Sequence, residues 1–315
     1  MSNSMHLTAI DGANPLGFLA AIGTLRLATH SWPEREVTLS WQRTGNWSPV
    51  LHDLPVGTQE ELCAALLATP AAPMEVLGKL GANITVSPEQ FGQFLGEVDS
   101  GLSFDDRRAA DFACAFGSEA CVDDKGERIR YTSLCFITGS GHQDFLGTMK
   151  ALMQTVSVAH LQKTLFGIWD DAEKGLSFRW SPSDARSYAL RWKNPGPEGA
   201  WTNWGANRLA FEALPLFPAL PIKKRLKTTG FTRFNGQDAF TWPIWSTPLA
   251  LDEVASLLAR RELQRSTVDE EGKKSTETTK LELRAIGCDQ VFRAARVRIG
   301  QGANFKTSFL PSRAL

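Results

Sequence analysis

The residues with the clearest chemical potential lie in the stretch IKKRLKTTGFTRF, residues 222–234. There Lys223, Lys224, Arg225, Lys227 and Arg233 supply five cations with no carboxylate among them. They are interleaved with Thr228, Thr229, Gly230 and Phe231, so cations, hydroxyl and backbone donors and an aromatic ring share one short span. Phosphates are held by such groups, and exposed rings stack on bases. A solvated basic turn is the competing interpretation. Arg293, Arg296 and Arg298, on nearly alternate positions, could line one face of a strand and extend the same patch.

Acidic residues suggest other chemistry. Asp105, Asp106 and Asp111, or His142 with Asp144, could supply a magnesium-dependent nuclease, and Asp123, Asp124, Asp170 and Asp171 are further oxygen ligands in principle. Neighbouring carboxylates on a helix do not share a face, however, and such sites have no diagnostic spacing, so solvated helix starts are expected instead. The five histidines show neither H-x-x-x-H nor H-E-x-x-H, and no metal or other cofactor is expected. Ser140 in GSGHQD is not a G-x-S-x-G serine. The same glycine turn opens a helix whose free N–H groups form a candidate phosphate seat. Neither a P-loop nor a dinucleotide fingerprint is present, so no catalytic residue is assigned.

These candidates need a scaffold, and 315 residues with 43% hydrophobic and 22% charged content describe a globular protein with a sizeable core. No apolar run is long enough to cross a bilayer and the first residues lack the basic segment of a signal peptide, so a cytoplasmic protein without membrane contact is expected. The five cysteines are scattered and should be buried thiols. Net charge is zero, which argues against coating nucleic acid through bulk charge. The charge is segregated all the same: residues 97–128 hold nine carboxylates against four cations, and residues 281–315 hold six cations against two carboxylates. Such asymmetry can build a local anion-binding face, or let the acidic and basic regions pair.

An α+β fold with antiparallel hairpins and two subdomains is expected, mainly helical over 1–170 and α+β over 171–315. Asn14-Pro15 caps a buried helix through LGFLAAIGTLRLAT, and Thr58-x-x-Glu61 is a capping box. Helices are also expected over 103–116, from Phe145, from Val158 to Ile168, near 205–213, and after Asp252. LSFRW and SYALRW alternate and predict a hairpin around SPSDAR, while GFTRF and AFTWPIW read as strands, with Pro243 at an edge or bulge. Trp201 and Trp204 should be core anchors. Residues 266–280 contain no large apolar side chain and read as a mobile loop.

The blocks IDGANPLGFLAAIGTLRLA, YTSLCFITGSGHQDFL, RSYALRW, WGANRLAFEALPLFP and TTGF resemble proteins encoded with type I-G (formerly I-U) CRISPR interference systems. The similarity is to the large-subunit-like component and to the family described as an extension of the helicase-nuclease. It covers most of the chain in scattered blocks, none of them a catalytic signature. The resemblance implies a non-catalytic subunit of an RNA-guided, DNA-targeting complex. Its partners would be other effector subunits, guide RNA and target DNA, and the helicase-nuclease. Guide pairing would read sequence while the protein contacts backbones and the motif flanking the target. A protein–protein module that tethers the helicase-nuclease is the alternative role.

Overall fold

Helix α1 (Pro15–Ser31) is the axis of the molecule. The Asn14 side chain accepts from the Leu16 N–H at 3.0 Å, and Pro15 starts the helix where no N–H is needed. Every residue from Pro15 to Ala28 is buried, so α1 is a core helix covered on all sides. The computed structural model describes residues 3–69, 72–103, 106–139, 143–183, 201–234, 237–264, 282–299 and 306–315. The expected mobile loop at 266–280 lies outside them.

The fold is α+β, and all its sheets are antiparallel. Strands β1 (Asn3–His6), β2 (Thr38–Thr44), β3 (Asn46–Leu54) and β12 (Leu249–Ala250) form one sheet in the order β1-β3-β2-β12. A second sheet runs β10 (Phe231–Phe234), β11 (Gln237–Trp245), β13 (Cys288–Ile299), β14 (Lys306–Phe309), with β15 (Arg313–Ala314) also on β13. Three two-stranded pairs are also present among the described residues: β4 (Gly117–Val122) with β5 (Ile129–Tyr131), β6 (Glu173–Lys174) with β7 (Trp201–Thr202), and β8 (Ala219–Ile222) with β9 (Arg225–Thr228). Pro243 pairs with Val291 at a point on β11 that β10 does not reach, so the missing N–H breaks no ladder.

Further helices are α2 (Gln59–Ala68), α3 (Met74–Leu77), α4 (Pro88–Ser100), α5 (Arg108–Phe116), α6 (Phe145–Thr155), α7 (Val158–Phe166), α8 (Trp204–Phe211) and α9 (Leu251–Leu258). The capping box of α2 is present: Glu61 N–H donates to Thr58 Oγ1 at 3.2 Å and Thr58 N–H to Glu61 Oε2 at 3.0 Å. Helix α9 is entered from Ala250, whose N–H Glu253 accepts at 2.8 Å, so Asp252 is a first-turn residue and not the cap. Helix α5 starts later than expected, at Arg108, and no side chain caps it.

One apolar cluster runs from Met5 to Phe309 and draws on residues from both halves of the chain. Phe18 of α1 lies 5.9 Å from both Trp41 and Trp242 and 6.4 Å from Phe240 and Trp245. The buried indoles find carbonyl acceptors: Trp242 donates to Gly12 at 2.8 Å and Trp245 to Leu39 at 2.7 Å. Phe112, Phe116, Phe145, Phe178 and Phe211 form a second aromatic group beside α8.

Three expectations are corrected. LSFRW is not a strand: Leu176 and Arg179 have φ of 49° and 63°, which no strand accommodates, and Phe178 and Trp180 stack on each other at 4.7 Å. Its alternation records two rings packed into one core pocket and no pleat; the second strand, SYALRW, lies outside the described residues. Trp201 is 47% exposed and only Trp204 is anchored, donating to the Gly175 carbonyl at 3.1 Å. Cys114 is exposed, while Cys63, Cys121, Cys135 and Cys288 are buried as expected.

Candidate functional site

The basic stretch folds as a projecting hairpin. Strands β8 and β9 pair Ala219 with Thr228, Leu220 with Lys227, Pro221 with Leu226 and Ile222 with Arg225, leaving Lys223 and Lys224 as the two-residue turn. Lys223 has φ of 57°, a left-handed conformation that glycine or asparagine adopts more readily. Cross-strand partners share a face, so Ala219, Pro221, Leu226 and Thr228 form one side and Leu220, Ile222, Arg225 and Lys227 the other. The first side carries the buried Ala219 and Thr228, and the hairpin packs against β4. The Thr228 hydroxyl also accepts from the Ser133 N–H at 2.8 Å. The second side faces solvent, with Leu220 55% and Ile222 48% exposed.

Lys223, Lys224, Arg225 and Lys227 are all exposed, and none of their side chains makes an ion pair or hydrogen bond with a described residue. This holds although the acidic β4–β5 hairpin packs alongside. Within that hairpin Arg130 donates to Asp124 at 2.7 Å and to the Val122 carbonyl at 2.9 Å. The acidic and basic segments are thus neighbours in space, yet no ion pair joins them among the described residues.

The other candidate arginines separate. Arg233 is exposed on β10, directly opposite Asp238. Arg298 is exposed near the end of β13. Arg293 and Arg296 are three residues apart, so on this regular strand they occupy opposite faces, and the expected single arginine face does not form. Arg293 is only 6% exposed and donates from Nε to Thr241 Oγ1 at 2.9 Å; burial pulls its pKa down. Arg296 is largely enclosed, 3.8 Å from Asp238, 3.4 Å from the Cys135 carbonyl and 5.2 Å from the centre of the Phe136 ring. Burial pulls its pKa down too, against the opposing attraction of Asp238. Arg293→Ala is therefore expected to lower stability by about 1–3 kcal/mol through the buried polar group it leaves unpaired, with nucleic-acid affinity unchanged. Denaturant midpoints beside binding titrations check this, and an affinity loss without a midpoint shift would put Arg293 back on the binding surface.

Residues 131–136 link the hairpin to β13. Ser133 is held to Thr228 of β9, and the Cys135 carbonyl takes Arg296 of β13.

The remaining candidates are dispersed. Asp106 is gripped by Arg108 through Nε at 3.0 Å and Nη2 at 2.7 Å, and that hydrogen bonding pulls its pKa down to about 2. Asp111 is 3.5 Å from Arg107, and Asp144 Oδ1 accepts from Asn83 at 2.6 Å. Among the described residues no three His, Cys, Asp or Glu side chains are grouped to hold a metal ion. Asp105, Ser140 and His142 lie outside the described residues. The phosphate seat at the start of α6 is already filled from within: Phe145 N–H donates to Asn83 Oδ1 at 2.8 Å, and Leu146 and Gly147 donate to the Ala82 carbonyl at 2.9 and 3.1 Å.

Sequence reading also missed a buried network. Glu212, fully enclosed just beyond α8, accepts from Arg26 at 2.9 Å, Arg208 at 3.1 Å and the Ala72 N–H at 2.8 Å. The Arg208/Glu212 spacing of four was its only local signal. Among the described residues no helix is long and apolar enough to cross a membrane. Comparison with protein-family models, with curated proteins and with solved structures returned no match.

Proposed function

We propose that the chain is a non-catalytic subunit of a type I CRISPR interference complex that holds nucleic-acid backbone on the β8–β9 hairpin, beside its fellow effector subunits, guide RNA and target DNA. Such a role places it in the cytoplasm. The observation that carries the contact is the set of four exposed cations on one hairpin whose side chains have no ion-pair partner among the described residues. An unpaired surface cation costs little to neutralise with a phosphate, and each such contact releases counterions from the nucleic acid. The type I-G assignment is supported by the sequence blocks alone.

Replacing Lys223, Lys224, Arg225, Lys227 and Arg233 together by Ala is expected to weaken DNA binding by the assembled complex. Its log affinity against log salt should flatten by about one unit per lost phosphate contact. Titrations at several salt concentrations measure both, and an unchanged affinity and slope would remove the hairpin from the interface.

Leu220 and Ile222 support a second role, because two large apolar side chains beside Arg225 and Lys227 also suit a protein partner such as the helicase-nuclease. In that case Leu220 and Ile222 replaced by Ser abolish co-purification with the partner while nucleic-acid affinity stays unaltered.

A further inference from the structure

The first sheet carries a chain of hydroxyl and imidazole groups that nucleic-acid contact does not use. Leu39, Leu51 and Met5 turn into the core, so the alternation of β2 and β3 puts Ser40 and His52 together on the opposite face. Strand β1 pairs Asn3 with Leu54 and Met5 with Leu51, so between them Ser4 faces two residues, His52 and Asp53. Asp53 has a φ of 61° in this bulge, a left-handed conformation unfavourable to most side chains, and bulges re-aim the side chains beside them. The result spans three strands: His52 Nδ1 lies 3.0 Å from Ser4 Oγ on β1, and His52 Nε2 lies 2.8 Å from Ser40 Oγ on β2. A second pair on this sheet, His6 Nε2 and Ser48 Oγ at 2.7 Å, has the same chemistry. Ser48 is only 4% exposed, however, and Ser40 6%, whereas Ser4 is open to solvent.

A hydroxyl within hydrogen-bond reach of an imidazole whose far nitrogen is held by a third group is the arrangement that turns a serine into a nucleophile. The neutral ring with its hydrogen on Nε2 donates to Ser40 and keeps Nδ1 for the Ser4 proton. Burial pulls the His52 pKa down against the attraction of Asp53, and so favours the neutral ring that can take that proton. We propose that Ser4 is a modification site for activated carboxylic esters. Ser4 Oγ attacks the ester carbonyl carbon, and its proton passes to His52 Nδ1 and from there to the departing oxygen. The acyl group stays on Ser4 and the alcohol leaves, while Ser40 holds the ring in place. A single acylation per chain is compatible with a subunit that turns over no substrate, and the inference stands on β1, β2 and β3, independently of the hairpin cations.

The test incubates the full chain with p-nitrophenyl acetate, follows p-nitrophenolate release and maps the acetyl group by peptide mass spectrometry. The wild type should carry the acetyl group on Ser4, with Ser40 and Ser48 unmodified. Ser4→Ala, at an exposed position, should lose this label. His52→Gln, which keeps a hydrogen-bonding side chain on the sheet, should slow Ser4 acetylation by about a hundred-fold or more. Denaturation midpoints of both variants establish that the fold is kept. Two results would overturn the proposal: wild-type acetyl groups on lysines or the amino terminus without any on Ser4, or Ser4 acetylation in His52→Gln as fast as in wild type. Either would leave the nucleic-acid contact of the hairpin standing, since the salt titrations test that separately.

Discussion

Glu212→Ala is expected to destabilise the fold by about 3–5 kcal/mol, a large part of the roughly 5–15 kcal/mol that holds a typical domain folded. Among the described residues the carboxylate is the one counter-charge bonded to both Arg26 and Arg208, whose side chains are 4% exposed. Removing it leaves two guanidiniums in the interior with their mutual repulsion unrelieved, and also strands the Ala72 N–H. Burial already pulls the Arg26 pKa down against the attraction of Glu212, and Arg26 Nη2 and Arg208 Nε have no partner even with the glutamate in place. Part of the Arg26 charge is instead met by the Phe112 ring, 5.2 Å from its guanidinium carbon. The network therefore has little reserve. Replacing all three members by apolar residues, Arg26→Met, Arg208→Leu and Glu212→Met, should recover most of the loss, because the cost lies in the uncompensated charge and not in the missing contact. Chemical denaturation of the single and triple variants decides it: a single variant within about 1 kcal/mol of wild type, or a triple variant no better than the single, would show that the network contributes little.

That contrast clarifies what the segment RLAFEALPLFPALPIKKRLKTTGF does. From composition it divides near Pro221 into a part for folding and a part for binding. In the structure the division falls two residues earlier, between Ala219, which is buried, and Leu220, which is not. Pro221 itself lies within β8, paired with Leu226. Glu212 belongs to the first part and the hairpin cations to the second, so Glu212→Ala should shift the denaturation midpoint, whereas the hairpin substitutions should leave it nearly in place.

Local chemistry made much of the fold legible. Asn14-Pro15, the Thr58/Glu61 box and the spacing in α6 and α7 each satisfy a backbone or packing requirement within a few residues, and such signals survive without tertiary information. What depended on distant partners was not legible. Period-two alternation at 176–180 came from two rings sharing a pocket. The charge of Arg293 looked like a surface property until Thr241, 52 residues away, came to face it. Arg26 and Glu212 are separated by 186 positions, and nothing in either neighbourhood announces the other. The basic hairpin was visible because charge density is local; the links from Thr228 to Ser133 and from Cys135 to Arg296 were not, because they form only when β9 and β13 are brought to the segment after β5.

Gly23→Ala should destabilise the protein by about 3 kcal/mol or more, although the same change usually strengthens a helix by close to 1 kcal/mol. Gly23 lies in the middle of α1, where α8 packs against it. An added Cβ would overlap the Leu209 carbonyl oxygen and lie 2.9 Å from the Leu209 carbonyl carbon and 3.2 Å from the Ala213 nitrogen. All three are backbone atoms, so no rotamer change relieves the collision and the two helices must separate. Separation would open the dry face around Phe211 and pull Glu212, at the end of α8, away from Arg26 on α1, adding the cost of the broken network to that of the lost packing. It would also shift Leu214–Leu216, the short turn that leads to the hairpin. Helix α4 supplies the control: Gly96 has open space where its Cβ would go, so Gly96→Ala should raise stability by about the helix-propensity gain. Opposite signs for one substitution in two helices isolate the interhelical contact as the cause. If Gly23→Ala matches Gly96→Ala in denaturation midpoint, α1 and α8 are not in backbone contact there, and the placement of the hairpin relative to α1 loses its support.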